Sequence, residues 1–239
     1  MKDNVLALFH AATFAAFGFS VYYDLFYTHV PPEVGRVHNA YAGKFKFLTF
    51  WDAIAQTFFF FVCLLNDIFG TNSLTSKKRP FIRRFKDFYH AAIGFPVSMF
   101  VGLTFWGLMF VDRELVLPKA LDPYFPWWLN HLMHTLIMIT TVLEMLIAPR
   151  NYPKRSKGIG GLAGFMLTYL AWMHFVYYKS GVWAYPVIDV LSVPLRIVFY
   201  LVLLVFTLVL YFAGEGLDRL IWGSSSYSVD KSNKKRKQK

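Results

Sequence analysis

Six long stretches that are almost wholly apolar alternate along the chain with short segments that carry most of its charge. A hydrocarbon core of about 30 Å is crossed by about 20 apolar residues at a helical rise of about 1.5 Å per residue. Windows of that length run over Val5–Tyr23, Lys46–Phe69, Tyr89–Val111, Trp127–Ala148, Gly160–Tyr178 and Pro194–Ala213. The pattern predicts an all-α, polytopic bundle of six transmembrane helices that forms one membrane domain over residues 1–223. Residues 224–239, polar and lysine-rich, read as a disordered basic tail. The first window is too long for a signal peptide and follows only a weak positive segment, Met1-Lys2-Asp3, so it is expected to be retained as a helix.

Composition agrees with the pattern. The 239 residues are 56% hydrophobic and 16% charged, below the roughly 25% charged of a soluble domain. Basic residues cluster in alternate loops: Lys77, Lys78, Arg79, Arg83, Arg84 and Lys86 after the second window, then Arg150, Lys154, Arg155 and Lys157 after the fourth. The intervening loops hold little charge, and retention of Lys and Arg on the cytosolic side then places both termini there. Tyr124, Phe125, Trp127 and Trp128 gather at one boundary on the opposite side, as interfacial aromatics do. The net charge of +11 lies beside the spans with no nucleic-acid motif, so anionic membrane lipid rather than nucleic acid is the expected partner. Lys235 and Lys237 form a dilysine-like pattern, and the expected location is the endoplasmic reticulum or the plasma membrane.

Polar residues within the spans carry the functional information, because an ionisable group in hydrocarbon is costly unless it faces a partner or water. At about 100° per residue, Thr49, Asp52, Gln56 and Cys63 share one face of the second helix, and Asn130, His134, Thr141 and Glu144 share one face of the fourth. His131 falls about 60° outside His134 on the same wheel. Helix rise places Thr49 about 5 Å and His134 about 10 Å inside the same boundary, so the two can meet. Glu144, His10 and His90 lie toward the other side, whereas His174 reaches the same half as His134. Mutual satisfaction between packed helices is the plain structural role of all these groups. No cofactor is expected. A lone Cys63 supports neither a disulfide nor a zinc cluster, and a metal held by His131, His134 and His174 would lack acidic or thiolate ligands.

A histidine within reach of a threonine hydroxyl can take its proton as the oxygen attacks an ester carbonyl, which in a membrane points to a lipid esterase. Further strings carry a resemblance: Lys46-Phe47-Leu48-Thr49-Phe50, Phe95-Pro96-Val97-Ser98, Asp112-Arg113-Glu114, Asn130-His131-Leu132-Met133-His134-Thr135 and Gly181-Val182-Trp183-Ala184-Tyr185-Pro186. In these the chain resembles the androgen-induced protein family from the first loop to the end of the sixth window. The resemblance implies a multipass hydrolase of fatty acid esters of hydroxy fatty acids, with its threonine nucleophile on Thr49 and its histidine on His134. Leu117, where the family pattern leads one to expect an aromatic before the proline, is a departure in a loop. Asn130 is a candidate oxyanion donor, Asp52 a candidate to orient a histidine, and His131 and His174 are secondary candidates. A non-enzymatic lipid-binding or regulatory membrane protein acting on coagulation through a partner is the alternative.

The charge asymmetry yields a test of topology. Epitopes placed in the segments Gly70 to Phe88 and beyond Ser224 should be reached by antibody when only the plasma membrane is permeabilised. An epitope between Asp112 and Pro126 should stay protected until internal membranes are opened or, at the cell surface, be reached without permeabilisation; cytosolic exposure of that loop would invert the topology.

Overall fold

The computed structural model describes residues 2–73 and 79–237, with side chains described over residues 4–73 and 79–223. Among these residues six helices are long and apolar enough to cross a membrane. They are α1 (Lys2–Tyr27), α2 (Leu48–Phe69), α3 (Phe81–Val111), α4 (Trp127–Ile147), α5 (Arg155–Ser180) and α6 (Val193–Lys237, apolar over Val193–Gly223). Each expected window lies on one of them. The chain is therefore a multi-pass membrane protein. The expected basic residues Lys77 and Lys78 and the side chains of the tail fall outside the described residues, and the helix backbone continues past the expected boundary at residue 224.

The boundaries differ from expectation where polar residues are structural. Helix α3 begins at Phe81 rather than Tyr89, because Arg83 and Lys86, read as loop charges, turn inward with Asp87 and are buried. Helix α2 begins at Leu48 rather than Lys46, since Gly43–Lys46 forms a separate 3₁₀ turn with Ala42 and Gly43 at positive φ. Two helices contain a wider π turn, His90–Gly94 in α3 and Leu132–Leu136 in α4. The first has a local cause: Pro96 has no N–H to donate and its ring would crowd the carbonyl four residues back, so the turn before it widens.

Helix α1 packs along α2, while α3 is central, touching α4, α5 and α6. Close approach depends on small residues, as is usual where helices gain little from apolar burial in lipid. At Gly102 of α3 a Cβ would meet the His134 carbonyl oxygen at 2.6 Å and would also collide with Met138. The α3–α4 contact thus lies directly on the π turn of α4. At the other end a buried ion cluster ties the bundle. His10 of α1 sits between Asp67 of α2 (2.5 Å) and Glu144 of α4 (2.9 Å), and Lys86 of α3 joins Glu144 at 2.9 Å. Arg83 pairs with Asp87 at 3.0 Å, and Arg150 with Asp218 of α6 at 3.3 Å. Removing one partner of such a buried pair costs about 3–5 kcal/mol, because the other charge is stranded.

Gly102→Ala should destabilise the bundle by about 1–3 kcal/mol, the usual cost of overpacking. Gly107→Ala, on the same helix but facing open space, serves as its control. Thermal denaturation of the two purified variants in detergent should show a lowered midpoint for Gly102→Ala only. Equal midpoints would mean that α3 and α4 are not in close contact there.

Candidate active site

The site begins where α2 begins. Its first residue, Leu48, follows Phe47, which offers no side-chain cap. The exposed start of the helix is completed from elsewhere in the chain: the Leu48 N–H donates to the hydroxyls of Tyr185 (2.8 Å) and Tyr169 (3.0 Å). The Tyr169 hydroxyl in turn donates to the Lys46 carbonyl at 2.9 Å. Burial pushes the hydroxyl of Tyr185, which lies outside the spans, away from ionisation. Two phenols from α5 and the loop after it therefore hold the first turn of α2 in place.

That turn presents Thr49 unusually. Thr13, Thr57, Thr140 and Thr168 each donate their hydroxyl to the carbonyl four residues back. For Thr49 that carbonyl belongs to Phe45, outside the helix, and it already accepts the indole N–H groups of Trp51 (2.7 Å) and Trp172 (2.8 Å). The Thr49 hydroxyl instead meets His134 Nε2 at 3.1 Å. The other ring nitrogen of His134, Nδ1, is 3.0 Å from the Asn130 main-chain carbonyl. A carbonyl only accepts, so Nδ1 carries the proton, and neutral imidazole then offers its Nε2 lone pair to the Thr49 O–H. Phe105 stacks on the imidazole with ring centroids 3.6 Å apart and 15° between planes, which fixes its orientation.

Thr49 lies where two cavities meet. One, of about 820 Å³ including its open mouth, runs between α3, α5 and α6 and is lined by apolar groups such as Phe100, Met166, Leu170 and Leu203. The other, of about 560 Å³ on the same measure, holds His134 together with Asp24, His38 and Lys44. Thr49, Phe105, Val116 and Tyr185 border both. This arrangement combines a hydroxyl facing a basic nitrogen, an apolar slot and a polar chamber.

The expected supporting residues fare differently. Asn130 contributes its main-chain carbonyl; its side-chain amide is buried with no hydrogen-bond partner among the described residues, and it is not among the residues lining either cavity. Asp52 does not orient a histidine: its carboxylate accepts from Gln56 (3.4 Å) and Ser98 (3.3 Å) between α2 and α3. His131 bonds to Thr135, stacks on Trp106 and packs edge-on against Trp127, because the π turn opens the angle between it and His134 beyond that of a regular helix. His174 is exposed and packs edge-on against Trp183 and Tyr200. Both ring nitrogens of His134 are thus engaged with Thr49 and Asn130, and His131 Nδ1 is engaged with Thr135. Among the described residues the ligand atoms of His10, Cys63 and Glu144 do converge, but Lys86 already bonds Glu144. Tyr169, Tyr185, Lys44 and Phe105 were not read from sequence as site residues, although Tyr185 lies in one of the strings that carry the resemblance; a further signal for the tyrosines is that a buried phenol needs a partner. Leu117, the loop departure, lines the polar cavity and so borders the site.

The sequence profile of the FAR-17a/AIG1-like protein family matches residues 5–219. Human androgen-induced gene 1 protein is 34% identical over 203 residues, covering 82% of this chain and 85% of its own. The mouse androgen-dependent TFPI-regulating protein is 33% identical, with 87% and 93% covered, and its human counterpart 35% identical, with 77% and 80% covered. No solved structure matches the chain. With a profile that takes in four of the six helices whole, nearly all of α1 and most of the apolar part of α6, and relatives at this level of identity over most of their length, the chain belongs to the FAR-17a/AIG1-like family.

Proposed function

We propose that this chain is an intramembrane lipid esterase that hydrolyses the ester bond of fatty acid esters of hydroxy fatty acids, with Thr49 as nucleophile and His134 as base. The observation that carries the reading is the hydrogen bond of 3.1 Å from the Thr49 hydroxyl to His134 Nε2, at the junction of an apolar and a polar cavity. The acyl chain lies in the apolar cavity, with the ester carbonyl beside Thr49. Attack by Thr49 Oγ1 transfers its proton to His134 Nε2, and collapse of the tetrahedral intermediate returns that proton to the leaving alkoxide. The products are a hydroxy fatty acid and an acylated Thr49. Water, giving a proton to the same nitrogen, then attacks the acyl-threonine, and the proton returns to the threonine oxygen as the fatty acid leaves. The Asn130 carbonyl holds Nδ1–H throughout, so that Nε2 remains the exchanging nitrogen.

The mouse and human relatives named for regulating TFPI keep a non-enzymatic reading in view, in which the same apolar cavity holds a lipid without cleaving it. Purified protein that binds lipid but turns over no ester would favour that reading.

Thr49→Val removes the hydroxyl with little change of shape, and turnover of a branched fatty acid ester should fall by at least about 10²-fold. His134→Ala should lose a comparable amount, and the double variant little more, because groups acting as one unit are not additive. His131→Ala and His174→Ala should keep most of the activity. A serine-directed covalent probe should label Thr49 in the wild type, as read by peptide mass spectrometry, and fail to label the His134→Ala protein. Near wild-type turnover by folded Thr49→Val would exclude Thr49 as nucleophile.

A further inference from the structure

The polar cavity contains a cation whose role the esterase reading does not use. Lys44 Nζ reaches this chamber from the 3₁₀ turn before α2, and two of its three protons are taken by Asp24 Oδ1 (2.8 Å) and Thr28 Oγ1 (2.6 Å) of the end of α1 and the loop after it. A second lysine, Lys46, is fully buried in the same turn and is held by the main-chain carbonyls of Ala40 (3.1 Å) and His38 (3.3 Å). Lys44 is thus paired with a carboxylate, whereas Lys46 is met by main-chain oxygens. The two lysines bear on their neighbours: burial and the charge of Lys44 bring the Lys46 ammonium down to about 8, and burial with both lysines brings His38 down to about 4. At neutral pH His38 therefore carries no charge, and Lys44 is the cation on the chamber wall, with Asp24 beside it. An ammonium has three protons to donate, so an anionic ligand in the chamber meets a charged donor in its wall.

Resting on the esterase reading, we infer that Lys44 anchors the free carboxylate of the substrate's hydroxy fatty acid in this chamber and so determines specificity for esters that carry an acid group. The geometry assigns the two ends of such a substrate to different walls. The acyl chain enters the apolar cavity, the ester lies at Thr49, where the cavities meet, and the remaining acid group extends toward Lys44. A simple neutral ester offers no anion to the third Lys44 proton. Lys44 acts in binding and takes no part in proton transfer.

The test uses the full-length protein in detergent with two substrates, a fatty acid ester of hydroxystearic acid and the same compound with its carboxyl group converted to a primary amide. The wild type should prefer the free acid in kcat/KM, and Lys44→Met should lower that preference by about 10- to 100-fold, mainly through KM, as expected for loss of a charge-assisted hydrogen bond. Lys44→Arg should restore much of it. Because Lys44→Met strands Asp24, the paired change Lys44→Met with Asp24→Asn removes both charges and should show the same loss of preference. A wild type indifferent to the cap, or a Lys44→Met protein that loses both substrates equally, would overturn the inference. If no ester is cleaved by the wild type the esterase reading fails separately, and equilibrium binding of hydroxystearate against its amide then decides: carboxylate-dependent binding lost in Lys44→Met supports the anchor, and equal binding of the two probes rejects it.

Discussion

A hydrocarbon core supplies no water to a polar atom, so each such atom inside the bundle must find its partner on its own backbone or on a neighbouring helix. Most of the organisation of this protein follows from that constraint. Thr13, Thr57, Thr140 and Thr168 turn back to the carbonyl four residues before them, the carboxylate of Asp52 is met by Gln56 and Ser98, and His10, Glu144 and Lys86 neutralise one another across three helices. Thr49 departs from this habit because its backbone acceptor is taken by two indoles. A hydroxyl denied its own helix must cross to another, and the group it reaches is a histidine.

The two ends of the bundle consequently have different characters. At one end the buried charges are paired, and the pairs join α1, α2, α3, α4 and α6 into a tied base. At the other end, helix starts, loops and a π turn meet around cavities. The loop between α3 and α4 closes over them through Val116, and Tyr169 and Tyr185 hold the first turn of α2 from the side. The rigidity of the first end and the close Gly102 contact beside His134 allow a half-buried hydroxyl to keep a fixed distance from its base.

Much of this was legible from the chain. The six spans follow from the length of apolar windows, and the facing of Thr49 and His134 follows from helical phase and rise. Those quantities are local and repeat with the backbone. The start of α3 was not legible, because Arg83, Lys86 and Asp87 look like a solvated loop until Glu144, Asn72 and Asn151 are seen beside them. Nor was the separation of His131 from His134, since the wheel assumes a regular helix and the π turn is not one. Asp52 was a candidate by sequence spacing alone, and spacing says nothing of which groups on α3 lie opposite.

The sequence by itself determined the fold class, the number of crossings, the family and the two polar stripes, because hydropathy and periodicity are written residue by residue. Only the tertiary structure decided which atoms face one another. It showed that His134 holds its proton on Nδ1 because a carbonyl lies there, that two tyrosines distant in sequence complete the start of α2, and that Lys44, beside Asp24, lines the same cavity as Thr49 and His134. Each of these depends on contacts between segments far apart in the chain. Such contacts are set by packing and by the partner each buried group must find, and neither is encoded at a single position.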